Sequence, residues 1–456
     1  MSIDIIDSTL KVGHPHYDRP SIQNESLSVQ NLIKKSSGIF ILICIAYLFS
    51  FIFNLILARW LGPLEYGIVS LVLRFFGILL PLLAFGVDGV FIKHIQTFIE
   101  NIDYSKLSGV LHWGTRIFII VSFIYFLCGA ILLSLSHFLF FNHQFEIELD
   151  IFLKGIWLPP FLTLLYIGSS LLRALRCFYS SVIFSWASTL FLASLFILSW
   201  HFLYGNVGTM ETFIAIGIAV VISIILQFLV IIQNLPNESF AVDPIYQNRE
   251  WFSLGFYIML SNTLSTVSVL LTMILLDVSG TSKLQIAHFF VVFIIANIFI
   301  ILGKAITSLI GPWINILDKQ KKINKLQWLI NITNYFKLIV GMIFLLIILI
   351  YGKSILLWFG QAYNDMHIPL ILLSIMNFVS ICFGSSIPLL LYTNQQKFVN
   401  TLRIVQVCLL LILCMILIRP LGVTGAVLAN GISLIVFELS ATVKVKRTLN
   451  ISIFGL

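Results

Sequence analysis

The chain has 456 residues, of which 59% are apolar and 10% charged, with a formal charge of +8; an ordinary soluble domain carries roughly 25% charged residues. With a mean hydropathy of +1.04, too few polar side chains are present to cover a water-soluble core of this size, which excludes a soluble globular protein. About twelve crossings of some 20 residues each would consume most of the chain, so a large extramembrane catalytic domain is excluded too.

In chain order, residues 1–36 are polar, carry Pro15 and Pro20, and have no short apolar stretch before a small-residue cleavage site. They read as a cytosolic tail without a signal peptide. Apolar windows then predict spans at 38–59, 67–91, 115–138, 151–172, 178–200 and 211–233, forming a first six-helix half over 37–233. A linker at 234–251 precedes spans at 252–275, 285–310, 328–351, 368–391, 402–418 and 424–443, the second half over 252–447, and 448–456 form a C-terminal tail. The expected fold is all-α and polytopic, with about 12 transmembrane helices in two parallel six-helix halves around a central cavity.

The basic residues orient this topology. Of the 27 Lys and Arg, 19 fall on the side of the N-terminus, four on the other side and four within spans, which places both termini in the cytosol by the positive-inside rule. The same asymmetry accounts for the +8 charge, so no nucleic-acid partner is expected. Cys44, Cys128, Cys177, Cys382, Cys408 and Cys414 lie in or at the ends of apolar segments without paired or metal-ligand spacing, and read as packing residues. No metal or cofactor is expected.

An internal repeat emerges from the outer loops. Leu61-Gly62 matches Ser279-Gly280 and Phe141-Asn142 matches Phe359-Gly360 at an offset of 218, while Gly205 through Gly208 matches Gly422 through Gly425 at 217. Six spans per repeat leave the halves in one orientation, with substrate expected between them. The offset also pairs two polar stripes. Tyr47, Ser50 and Asn54 share one face of the first span, and 218 residues on lie Ser265, Ser268 and Thr272. Equivalent stripes point to a wet centre, although Ser and Thr also serve as packing contacts between helices in lipid.

Charges deep in the spans carry more weight, because a cation at mid-membrane costs about 2.5 to 3.5 kcal/mol on insertion scales and ordinarily faces water or a partner. Arg74, Lys337 with Asn334 one turn away, and Lys304 are the candidates for contact with substrate. Lys154 and Asp88, near span ends, read as snorkelling or solvated. Asp277 and Glu438 also fall near span ends, so no acidic partner is expected for each cation at mid-depth. Uncompensated cations favour an anionic cargo such as a phosphate or diphosphate.

The run Ala58-Arg59-Trp60-Leu61-Gly62-Pro63-Leu64-Glu65-Tyr66-Gly67, with Phe85-Gly86-Val87-Asp88-Gly89 on the second span, resembles the polysaccharide-repeat-unit (O-antigen, Wzx-type) flippases of the multidrug/oligosaccharidyl-lipid/polysaccharide exporter superfamily. The stretch from Ile355 to Tyr363 and the run Pro420 to Ala426 are similar to that group as well. The resemblance covers about Lys34 to Arg447. It implies a non-enzymatic, multi-pass protein of the bacterial inner membrane that turns undecaprenyl-diphosphate-linked oligosaccharide across the bilayer by alternating access, for lipopolysaccharide or related polysaccharide biosynthesis. Implied partners are the lipid-linked oligosaccharide, membrane lipid, and a polysaccharide polymerase with its chain-length regulator; ion coupling is left open. The alternatives are a cation-coupled multidrug exporter of the same fold, which should carry a membrane-embedded carboxylate, and a membrane-embedded polymerase or glycosyltransferase. The latter should present acid/base groups on a sizeable outer loop, where Leu139 to Asp150 offer only His143, Glu146, Glu148 and Asp150.

Overall fold

The computed structural model describes residues 29–139, 146–279, 284–303, 321–393, 395–449 and 451–452, with single positions at 306, 314 and 317. Among these residues regular structure is entirely helical. Helix α1 spans Val29–Trp60. Gly62, at φ 73°, turns the chain into α2 (Gly62–Ala84), where Pro63 sits in a first turn whose N–H groups have no helical partner. Phe85 and Gly86 are both left-handed and break the crossing before it resumes as α3 (Val87–Glu100). Then come α4 (Tyr104–Leu139), α5 (Glu146–Gly155) and α6 (Leu158–Ala174). The chain bends by 51° between α5 and α6, where Pro159 and Pro160 open the new helix. The first half ends with α7 (Phe178–Val182), a π-helical turn at Ile183–Ala187, α8 (Ser188–Tyr204) and α9 (Thr209–Asn234).

The second half comprises α10 (Asn248–Val278), α11 (Leu284–Ala296), α12 (Ile323–Phe359), α13 (His367–Phe383), α14 (Ser386–Tyr392), α15 (Gln396–Leu421) and α16 (Val423–Leu449). After a break at Asn297, α11 resumes to residue 303. Eleven of the described helices are long and apolar enough to cross a membrane, or 12 if the bent α5–α6 pair is one span, in agreement with the expected count.

Two features differ from the sequence expectation. Spans expected as single rods are broken at Gly86, Asn297 and Gly384, because an apolar window reports lipid exposure and is blind to local breaks whose backbone groups find partners inside the protein. Several helices also outrun their apolar windows. Helix α16 continues to Leu449, so Glu438, expected near a span end, lies well inside its helix.

The repeat has a backbone counterpart. Gly205 and Gly422, paired at 217, close α8 and α15 with φ of 83° and 55°, a conformation that glycine adopts without a Cβ penalty. Gly280 and Asn142 lie outside the described residues.

Helix alternation puts the starts of α4 and α10 and the end of α16 on one side, here the terminal side. Toward the other side a single apolar core unites the halves, with Phe53, Tyr66, Phe76 and Phe213 beside Phe289, Phe299 and Leu356. On the terminal side the core divides. One cluster holds Val87, Phe91, Trp113 and Leu172 with Trp251 from the start of α10, and the other holds Leu326, Ile330, Leu389 and Val445. The apolar core is thus continuous away from the termini and split into two clusters toward them, the first of which takes in the start of α10. Outward faces are apolar, as on α4, where Ile119, Ile120, Phe123 and Ile124 are exposed.

Candidate functional site

Helix α2 lies along the boundary between the halves, packed against α10 and α11. Arg74, half-buried at its middle, projects to the rings of Phe290 and Phe293 on α11, with the guanidinium carbon 5.0 and 5.4 Å from the centroids. Among the described residues no carboxylate pairs with Arg74. Ring faces offset part of a cation's desolvation while leaving its hydrogen-bond donors free for an anion.

The polar stripes separate once placed. Tyr47 donates its hydroxyl to the Ile294 carbonyl on α11, one turn before the break at Asn297, and Asn377 donates to the Ala296 carbonyl at 2.9 Å. A residue of each half therefore satisfies a carbonyl at this break. Asn54 donates to the Ser50 carbonyl and accepts from Tyr66 at 3.2 Å, tying α1 to α2. Ser50 is half-buried and Ser265 exposed, its hydroxyl donating to the Asn262 carbonyl. Ser268 and Thr272 are buried; Thr272 donates to the Ser268 carbonyl and accepts from Asn430 of α16 at 2.9 Å. The second stripe thus turns partly into its own half.

Lys337 is 1% exposed. Its ammonium donates to Ser385 Oγ at 2.9 Å, and Ser385 donates onward to Asn334 Oδ1 at 2.5 Å. Glu438 interacts electrostatically with both Lys337 and Arg403, and Arg403 donates to Gln406 at 3.1 Å and covers the Phe437 ring. The expectation that no carboxylate neighbours the deep cations is corrected here: α12, α15 and α16, with the turn at Ser385 between α13 and α14, bring Asn334, Lys337, Ser385, Arg403 and Glu438 together inside the second half. Arg74 stands apart from this group, on the boundary. Lys304 lies outside the described residues. Lys154 pairs with Asp150 at 2.7 Å and is 36% exposed, as a snorkelling residue would be.

A second correction concerns Asp88. Instead of being solvated it is 5% exposed; Tyr166 donates to its Oδ2 at 2.7 Å, Asn262 donates to the same oxygen at 3.1 Å, and Oδ1 has no hydrogen-bond partner. The break at Gly86 turns α3 inward against α10, which brings Asp88 to Asn262. The Gly86-Val87-Asp88-Gly89 run carried the signal for that break; nothing local marked Asn262 or Tyr166.

Comparisons with known proteins accord with this architecture. A family model described as polysaccharide biosynthesis protein matches residues 32–283, and the chain belongs to that family. No curated protein matches it. Among solved structures it is similar to a MOP-superfamily transporter from Pyrococcus furiosus, described as having a binding pocket of reverse polarity, at 14% identity over 92% of this chain and 96% of that one, TM-score 0.72. It is also similar to an inward-facing multidrug resistance MATE-family transporter of the MOP superfamily, at 13% identity over 89% and 94%, TM-score 0.70. A third match is a Vibrio cholerae MATE transporter, at 16% identity over 92% and 98%, TM-score 0.67. The fold is that of these multi-pass transporters.

Proposed function

We propose that this member of the polysaccharide biosynthesis family is a flippase that turns an undecaprenyl-diphosphate-linked oligosaccharide across the bacterial inner membrane by alternating access, its termini cytosolic. The observation that carries the reading is Arg74: a cation on the boundary between two halves, laid on Phe290 and Phe293, with no carboxylate partner among the described residues. A diphosphate arriving there leaves water, and a fixed guanidinium in a low-dielectric setting offsets that desolvation more than the same charge would in bulk solvent. The divided core on the terminal side suits loading from the cytosol. In this reading Arg74 meets the diphosphate, with Tyr47, Ser50, Asn54 and Ser265 along the path, while Lys337, Asn334, Ser268 and Thr272 act from within the second half.

A specific observation favours a second reading. Asp88 and Glu438 each keep one carboxylate oxygen without a hydrogen-bond partner, and membrane-embedded carboxylates are what a cation-coupled multidrug exporter requires. Reconstitution separates the two. Proteoliposomes containing the purified protein should translocate a fluorescent polyprenyl-diphosphate oligosaccharide, and the Arg74→Ala protein should not. Translocation of a lipophilic cationic dye driven by a proton or sodium gradient, with none of the diphosphate lipid, would replace the flippase reading with drug export.

A further inference from the structure

On the terminal side, between α4 of the first half and the start of α10, lies a cleft of about 650 Å³ lined by Trp113, Arg116, Ile117 and Ile120 of α4, by Tyr246 just before α10, and by Asn248, Arg249, Phe252 and Ser253 in its first turns. Its lining is graded. The guanidinium of Arg116 lies over the Tyr246 ring, 5.2 Å from the centroid, and Arg249 stands exposed at the first turn of α10. Neither arginine has a carboxylate partner among the described residues, and no carboxylate lines the cleft. From the arginines, Ile117, Ile120 and Phe252 lead onto the apolar faces of α4 and α10, where Phe123, Ile124 and Phe256 are exposed.

We propose that this cleft binds a bilayer phospholipid with an anionic phosphate headgroup. The depth fits, since the arginines lie where the polar linker meets the apolar faces, at the level of lipid phosphates. The chemistry fits as well: two guanidinium forks engage a phosphodiester bidentately, Asn248 and Ser253 supply neutral donors, and the apolar wall carries an acyl chain. Tyr246 orients Arg116 from its ring face, which gives a placed donor instead of a mobile surface charge. The start of α10 packs with the first-half core through Trp251 and its end joins the core shared by both halves through Met273 and Leu276, so a lipid seated here contacts the helix that links the two.

The test is native mass spectrometry of the full chain in detergent, titrated with phosphatidylglycerol or phosphatidylcholine. Phosphatidylglycerol should be retained and phosphatidylcholine lost. Each of Arg116→Ala and Arg249→Ala should weaken retention about fivefold, the worth of one interfacial cation. Ser253→Trp, which fills the cleft and keeps both charges, should abolish retention, whereas Lys446→Ala/Arg447→Ala, removing surface charge elsewhere on the same side, should leave it intact. Circular dichroism establishes that each variant is folded. Equal retention of the two lipids, or phosphatidylglycerol binding that survives Ser253→Trp, would overturn the proposal. So would displacement of phosphatidylglycerol by an equal concentration of undecaprenyl phosphate, which would make the cleft a dock for the cargo lipid.

Discussion

Gly86 and Gly255 meet backbone to backbone across the two halves: a Cβ built on Gly86 would lie 2.0 Å from the Gly255 carbonyl oxygen, and one on Gly255 would lie 2.8 Å from the Phe85 carbonyl oxygen. Gly86 also holds φ 72°. This contact turns α3 inward and sets Asp88 against Asn262.

Gly86→Ala should therefore destabilise the protein by at least about 1–2 kcal/mol from the left-handed backbone alone, with the collision adding to it. Thermal unfolding of the purified protein in detergent measures this. Gly77→Ala, at a helical position with open space around it, should be tolerated, and equal melting of the two variants would contradict the close contact.

Removal of the boundary cation should impair transport without impairing folding. In a strain lacking the native protein, Arg74→Ala should reduce surface polysaccharide at matched membrane abundance, while Arg74→Lys retains part of it, keeping charge but losing the planar fork. Phe290→Ala/Phe293→Ala should weaken export less than Arg74→Ala, since the ring contacts are worth roughly 0.5–2 kcal/mol. Full export by Arg74→Ala would remove the electrostatic mechanism.

Lys337→Ala is expected to behave differently. It removes the donor to the buried Ser385 hydroxyl and leaves Glu438 facing Arg403 alone, so abundance and melting temperature should fall together with export, by roughly 1–3 kcal/mol for unsatisfied buried polar groups. Combined with Glu438→Gln the losses should be less than additive, as for residues of one network. Additive losses would dissolve the cluster.

The Asp88 network should govern how the halves separate on the terminal side. Asn262→Ala and Tyr166→Phe each remove a donor to the Asp88 carboxylate, and each should raise the rate at which a cysteine placed at Ile258, which packs against Gly89, reacts with a water-soluble maleimide. An unchanged labelling rate in both backgrounds would show that the network is static packing.

The proposed orientation is checked by reporter fusions. Those after Gly62, Gly280 and Gly360 should report the periplasm, and those after Asp103, Asn237 and Lys321 the cytosol. A reversed pattern would invert the direction of loading.

Composition alone determined that the bilayer is this protein's solvent, because 10% charged residues cannot cover so large an apolar core in water. Local pattern determined the number of crossings, the helix-ending glycines at 205 and 422, and the position of Arg74 at the middle of its helix, since each depends on a single helix or turn. What the tertiary structure decided is which buried groups face one another. Asn262 reaches Asp88 across 174 residues, Glu438 neighbours Lys337 only because α12 and α16 both pack around α13, and Thr272 turns to Asn430 within its own half. Helical periodicity places a residue on a face of its helix, but the partner of that face is chosen by packing between helices far apart in the chain. A buried charge therefore announces itself in sequence, while its compensation does not.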